Sequence, residues 1–168
     1  GSVIWFTGLS ASGKSTLAKK LYEDFRSQNK MCVWLDGDQI RKHFPNLGYS
    51  HAERADHIKR VALTASLLEQ QGNIIIVSLI SPYLESRHFA RENCKNFHEI
   101  YLSASVDVCE KRDIKGLYKK AKEGLVQNMT GVHDIYEPPV AAELVLETGQ
   151  QNAEQSYKLL IKYLKAQI

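Results

Sequence analysis

Gly8-Leu9-Ser10-Ala11-Ser12-Gly13-Lys14-Ser15, followed by Thr16, is the stretch from which the rest of the chain is read. Its spacing fits G-x-x-x-x-G-K-[ST], a phosphate-binding loop. The flanks agree with that reading. Val3-Ile4-Trp5-Phe6 is a short apolar run suited to a buried parallel strand, and Thr16-Leu17-Ala18-Lys19-Lys20-Leu21-Tyr22 starts a helical pattern. Strand, glycine-rich turn and helix together aim backbone N–H groups and a helix N-terminus at an anion. Gly8, Ser10, Ala11, Ser12, Gly13, Lys14, Ser15 and Thr16 are therefore candidates to bind ATP or GTP. In such a loop Lys14 reaches the β- and γ-phosphates, and the Ser15 hydroxyl ligates Mg²⁺. A Gly/Ser turn matching by chance would have to reproduce every fixed position and both flanks.

At 168 residues and 43% hydrophobic, the chain fits one globular domain, read as 3–168, with Gly1-Ser2 set aside as a remnant of tag removal. The net charge of +3, without a long run of one sign, gives no argument for nucleic acid and suits an anionic small-molecule partner. Cys32, Cys94 and Cys109 are far apart and form no metal-ligand pair, so reduced thiols and a cytoplasmic location are expected. There is no run of 18 apolar residues and no signal peptide, so no membrane span is expected.

Apolar runs alternate with helical patterns, the signature of repeated βα units. Strands are predicted at 3–7, 31–35, 73–78, 98–102 and 143–147, and helices at 14–28, 51–71, 83–94, 105–112 and 152–167. The expected fold is α/β, a three-layer P-loop NTPase fold with a mostly parallel five-stranded sheet and helices on both faces. In such sheets ligands collect outside the carboxyl ends of the strands. Gly8–Thr16, Asp36-Gly37-Asp38 and Leu79-Ile80-Ser81-Pro82 should therefore converge on one crevice.

Asp36 and Asp38 then have two natural roles, one holding Mg²⁺ and the other accepting the proton of an attacking hydroxyl. Taken alone, Asp-Gly-Asp would be a surface turn, and its position after a strand reverses that preference. Arg41 and Arg54 are candidates to clamp an anionic acceptor, while Lys59 and Arg60 are as well explained as solvated helix charges. Lys111, Arg112, Lys115, Lys119, Lys120 and Lys122, interspersed with Gly116 and Gly124, read as a mobile lid over phosphates. The bland alternative is an exposed basic helix end.

The loop at 8–16, Asp36-Gly37-Asp38, Leu47-Gly48-Tyr49-Ser50, Ile80-Ser81-Pro82, Arg112-Asp113, Lys115-Gly116-Leu117-Tyr118, Thr130-Gly131 and Tyr136-Glu137 together resemble the adenylylsulfate (APS) kinase family over nearly the whole chain. The resemblance implies transfer of the γ-phosphoryl of ATP to the 3′-hydroxyl of a 5′-activated nucleotide, with Mg²⁺. It implies Asp38 as general base, Asp36 on the metal side and Ser81 close to the transferred phosphoryl. Arg112 and Thr148 are assigned to ATP. Arg41, Tyr49, Arg54, His57, Ile80, Lys115, Gly116, Leu117 and Met129 are assigned, with Asp38 and Ser81, to the acceptor. A homodimer is expected from the same resemblance.

Departures from the family pattern are concentrated. Gln39 stands where the family has Asn, Tyr49 where it has Phe, His57 where an Asn contacts the acceptor base, and Met129 where a Phe stacks on the adenine. The segment Lys42–Asn46 also looks one residue short, with Pro45 inserted. Replacing Phe by Met removes a π-face but keeps an adaptable apolar wall. Exchanging Asn for His changes which base edge is matched. The elements assigned to ATP and phosphoryl transfer are retained, so the changes point to a different acceptor, a smaller pyrimidine such as cytidine 5′-diphosphoramidate used in capsule modification. The alternative is an ordinary adenylylsulfate kinase of sulfate assimilation with neutral substitutions. Two further rivals are a non-catalytic nucleotide-binding module and a small-molecule kinase of the gluconate or shikimate sort.

Overall fold

The structure is a computed structural model that describes every residue except Pro45. The expected proline insertion between Lys42 and Asn46 thus rests on a position outside the described residues. The strands are β1 (Ser2–Thr7), β2 (Cys32–Asp36), β3 (Ile74–Ser78), β4 (Phe97–Leu102) and β5 (Leu144–Leu146). They form one sheet in the order β2-β3-β1-β4-β5, and every pairing is parallel. The sheet is therefore wholly parallel where a mostly parallel one was expected. The seven helices described are α1 (Lys14–Ser27), α2 (Gly37–Lys42), α3 (His51–Gln70), α4 (Leu84–Asn93), α5 (Val106–Arg112), α6 (Leu117–Lys122) and α7 (Ala153–Leu164).

Burial on both sides explains the near-continuous apolar runs of the central strands. Along β1, Ile4 and Phe6 pack with Leu17, Leu21 and Phe25 of α1 and with Leu160 and Leu164 of α7. Val3 and Trp5 pack on the opposite side with Ile58, Val61 and Ala65 of α3 and Ala90 of α4. The side chains alternate between the two cores because successive residues of a strand face opposite ways. Adjacent strands β1 and β3 consequently send their following helices, α1 and α4, to opposite faces. Their connections diverge and open a crevice at the carboxyl edge of the sheet.

Three sequence expectations are corrected. Ser2, set aside as outside the fold, is the first residue of β1; its amide donates to Asn73 O at 3.2 Å and its hydroxyl accepts from Asn96 Nδ2 at 2.7 Å. Residues 37–42 were left without structure and form α2, because the Asp36 carboxylate caps it, accepting from the amides of Asp38 and Gln39, each at 3.2 Å. The stretch read as a lid contains α6, whose first amides, of Tyr118 and Lys119, donate to the Asp113 carboxylate at 3.1 Å. α3 starts at a capping box between Ser50 and Glu53.

Candidate active site

The loop between β1 and α1 enters the helix through Gly13 at φ +102°, and Ala11 stands at φ +60°. Those left-handed turns let several amides point the same way, the concavity that suits an anion. Gly8, at φ +148°, is required by close approach: a Cβ there would sit 2.8 Å from the Leu102 carbonyl oxygen and 2.9 Å from Ser12 Oγ. Lys14 is buried at 8% exposure and its Nζ donates to the carbonyls of Gly8 and Leu9 at 2.8 and 2.6 Å. Burial pulls its pKa down to about 8, partly countered by negative groups that include Asp38 and Asp36.

A cavity of about 720 Å³ lies over this loop. Its lining contains Ser10, Ala11, Ser12, Gly13, Lys14, Ser15, Thr16, Asp36, Asp38, Arg41, Tyr49, Arg54, His57, Ile80, Ser81, Arg112, Lys115, Leu117, Met129 and Thr148. The three segments expected from the strand-end rule do meet there. Gly8 and Gly116 do not line it. Gly8 packs against Leu102 and Ser12, and Gly116 serves as the N-cap of α6 at φ +63°.

Asp36 is held from several directions. Its Oδ2 accepts from Ser15 Oγ at 3.1 Å and from Ser78 Oγ at 2.8 Å, while Oδ1 caps α2. Ser78 Oγ in turn accepts from Trp34 Nε1 at 2.9 Å. The Ser15 hydroxyl and the Asp36 carboxylate thus offer neighbouring hard oxygens at the head of α1, a donor set that fits Mg²⁺. No cluster of three or more His, Cys, Asp or Glu that could hold a metal occurs among the described residues. A cation here would therefore complete its shell with phosphate oxygens and water. Asp38 is exposed in the first turn of α2 and pairs with Lys115 Nζ. Arg112, also in the lining, donates to the Thr148 carbonyl at 2.5 Å, joining the two residues assigned to ATP.

The cavity is also lined by Arg54 and His57 of α3 and by Met129 and Thr130. Arg54 is buried; its Nε donates to Tyr49 O at 2.9 Å, its Nη1 bonds Thr130 Oγ1, and Asp134 Oδ2 lies 3.6 Å away. Arg41 donates to the carbonyls of Leu47 and Gly48 at 3.3 and 3.1 Å and lies over the Tyr49 ring at 4.3 Å. His57 is 4% exposed, and its Nε2 has no hydrogen-bond partner. Burial first, then Arg41 and Arg60, hold its pKa down at about 4, so the ring is neutral. Met129 is buried in the same lining and packs with Leu9, Cys109 and Tyr118. Ser81 stands at φ +40°, outside the usual range for a residue with a side chain, and its Oγ accepts from Trp5 Nε1 at 3.1 Å.

Sequence reasoning missed several participants. Ser78, the last residue of β3, lies at the strand end and was within reach of the same rule that found Asp36. Asp134 and Tyr83, joined at 2.5 Å and set beside Arg54, carried no local signal. Tyr118, read as part of a mobile lid, is fully buried and donates to Ser10 O at 3.1 Å, tying α6 to the phosphate loop.

A phosphate loop at the head of α1 and a carboxylate pair at the end of β2, meeting on one cavity, define a P-loop kinase. A family model for adenylylsulphate kinase matches residues 1–147. The chain belongs to that family. An adenylyl-sulfate kinase of a Synechococcus strain is 41% identical over 99% of this chain and 95% of its own. A probable adenylyl-sulfate kinase of Bacillus subtilis is 42% identical, covering 99% and 86%. Among solved structures, the Mycobacterium tuberculosis APS kinase CysC in complex with AMPPNP and APS superposes with TM-score 0.92 at 33% identity, covering 98% of each chain. A Sinorhizobium meliloti gluconokinase, 16% identical with TM-score 0.62, shares the fold alone.

Proposed function

We propose that the protein transfers the γ-phosphoryl of ATP to the ribose 3′-hydroxyl of a 5′-activated nucleotide, with adenylylsulfate as the acceptor. The observation that carries the reading is the convergence of the phosphate loop, Asp36 and Asp38 on one cavity. The names of the relatives favour adenylylsulfate. Lys14 and the loop amides stabilise the charge of the transferred group. Ser15 and Asp36 would hold Mg²⁺, which when bound would neutralise phosphate charge. Asp38 accepts the proton of the acceptor hydroxyl and aligns it, and Lys115 exchanges its contact with Asp38 for the phosphates. Arg41 and Arg54 hold the acceptor's anionic end, and Ser81 faces the transferred group. Asp38→Asn should leave ATP affinity nearly unchanged and lower turnover by about 10²-fold or more. Near-normal kcat in that variant removes Asp38 from the mechanism.

A second reading of the acceptor is favoured by one observation. His57 presents a buried, unpartnered and neutral Nε2 in the cavity lining, to which Met129 contributes a flexible apolar surface. A cytosine edge could satisfy that nitrogen, and cytidine 5′-diphosphoramidate would then be the acceptor. The deciding experiment compares kcat/KM for adenylylsulfate and cytidine 5′-diphosphoramidate with ATP-Mg²⁺. A large preference for the former assigns sulfate activation, and a large preference for the latter makes His57 and Met129 base-reading residues. Activity on neither, with ATP still bound, points to a nucleotide-binding module. The expected homodimer belongs to the same proposal and is read by sedimentation.

A further inference from the structure

Arg87, on α4, lies outside the cavity and is 2% exposed. Its guanidinium makes two hydrogen bonds to carbonyls remote from each other in sequence. Nη1 donates to Ser81 O at 2.6 Å and Nη2 to Glu137 O at 2.5 Å. Nε lies 2.8 Å from Glu99 Oε1 but off-line for a hydrogen bond, so that contact is one of charge alone. Glu99, on β4, is itself buried and also meets Arg91 Nη2 at 3.3 Å. The guanidinium lies 5.6 Å from the Tyr136 ring, whose hydroxyl meets Thr7 Oγ1 at 2.9 Å.

Ser81 lies in the cavity lining, and Glu137 ends the segment that runs on from the lining residues Met129 and Thr130. Ser81 sits in the strained left-handed region, a conformation that persists only where its surroundings over-determine it. Its Oγ is held by Trp5 and Thr7, each at 3.1 Å, and its carbonyl by Arg87. Glu137 closes the segment that carries Met129 and Thr130, and its amide donates to Pro82 O at 2.8 Å. A buried guanidinium is costly unless it is paired and fully hydrogen-bonded. Its planar fork can fix the spacing of two acceptors in a way an ammonium cannot.

We propose that Arg87 is a positioning residue for the acceptor side of the reaction, setting the separation between the Ser81 loop and the 129–137 segment. The proposal rests on the reading of these two segments as the acceptor's. Arg87→Lys keeps a cation beside Glu99 but cannot bridge both carbonyls. The chain has two tryptophans, Trp5 and Trp34, so its indole N–H resonances report Ser81 through Trp5, with Trp34 on Ser78 as an internal control. The expected result in Arg87→Lys is a shifted Trp5 resonance, an unmoved Trp34 resonance, and an acceptor KM raised about tenfold with the ATP KM within about twofold.

An unmoved Trp5 resonance with unchanged acceptor kinetics overturns the proposal. So does an equal rise in both KM values, which marks general loosening. Glu99→Gln retains the fork and should leave the Trp5 resonance in place. The same resonance shift and kinetic split in Glu99→Gln would assign the effect to the buried charge pair and overturn the role of the fork. If the wild-type protein phosphorylates neither nucleotide, the proposed function fails, while the Trp5 resonance still decides Arg87's hold on Ser81.

Discussion

His57 and Lys14 are bases whose burial works against their charge, and each makes solution behaviour depend on pH. His57 titrates near pH 4 in the folded protein, below its ordinary value of 6.5. Between those values the unfolded chain binds the extra proton, so stability is full above pH 6.5, falls as the pH drops towards 4, and levels off below. The drop attributable to His57 is at most about 3 kcal/mol. Urea unfolding of His57→Asn across that window should lack this part of the decline; an unchanged slope would show that His57 titrates normally. Lys14 is poised at about 8, and bound phosphates would restore its proton. ATP binding should therefore take up little proton at pH 6.5 and approach about one proton at pH 9. Calorimetry in two buffers of different ionisation enthalpy reads the uptake, and equal heats at pH 9 would contradict it.

At the scale of elements, α6 owes its place to Tyr118 rather than to its own length. Its first turn is capped by Asp113, and the buried Tyr118 ring joins Leu9, Cys109 and Met129 in a small third core. Tyr118→Phe keeps the ring and removes the bond to Ser10 O, at a cost of about 1 kcal/mol. ATP affinity should weaken with it, because Ser10 belongs to the loop; thermal denaturation and ATP titration check both, and an unchanged Kd would separate α6 from the loop. The long helices α1, α3 and α7 were legible because their apolar periodicity runs over several turns and their caps are local. α2 and α6 were not, because six residues give no periodicity and each start depends on a carboxylate, Asp36 or Asp113, whose capping is seen only once the chain is folded.

Over the whole molecule, two apolar cores on either side of one parallel sheet hold the carboxyl-edge cavity open. Leu160→Ala, in the core between the sheet and α7, should cost about 2–5 kcal/mol with KM values nearly unchanged, since α7 meets the site only through its first turn. Chemical denaturation and steady-state kinetics measure the two effects, and a large KM change would show that the sheet transmits strain to the site. The sequence by itself determined the α/β class, the strand positions, the phosphate loop and the convergence of Gly8–Thr16, Asp36–Asp38 and Ile80–Ser81. Each of these follows from local spacing and from the rule that ligands gather beyond the strand ends. Only the tertiary structure decided which partners occupy the buried polar groups: Ser78 on Asp36, Thr130 on Arg54, and Ser81 and Glu137 on Arg87. Their partners lie some six to more than seventy residues away, and no local pattern encodes such a distance. The need to satisfy a buried charge selects the partner after the chain has folded.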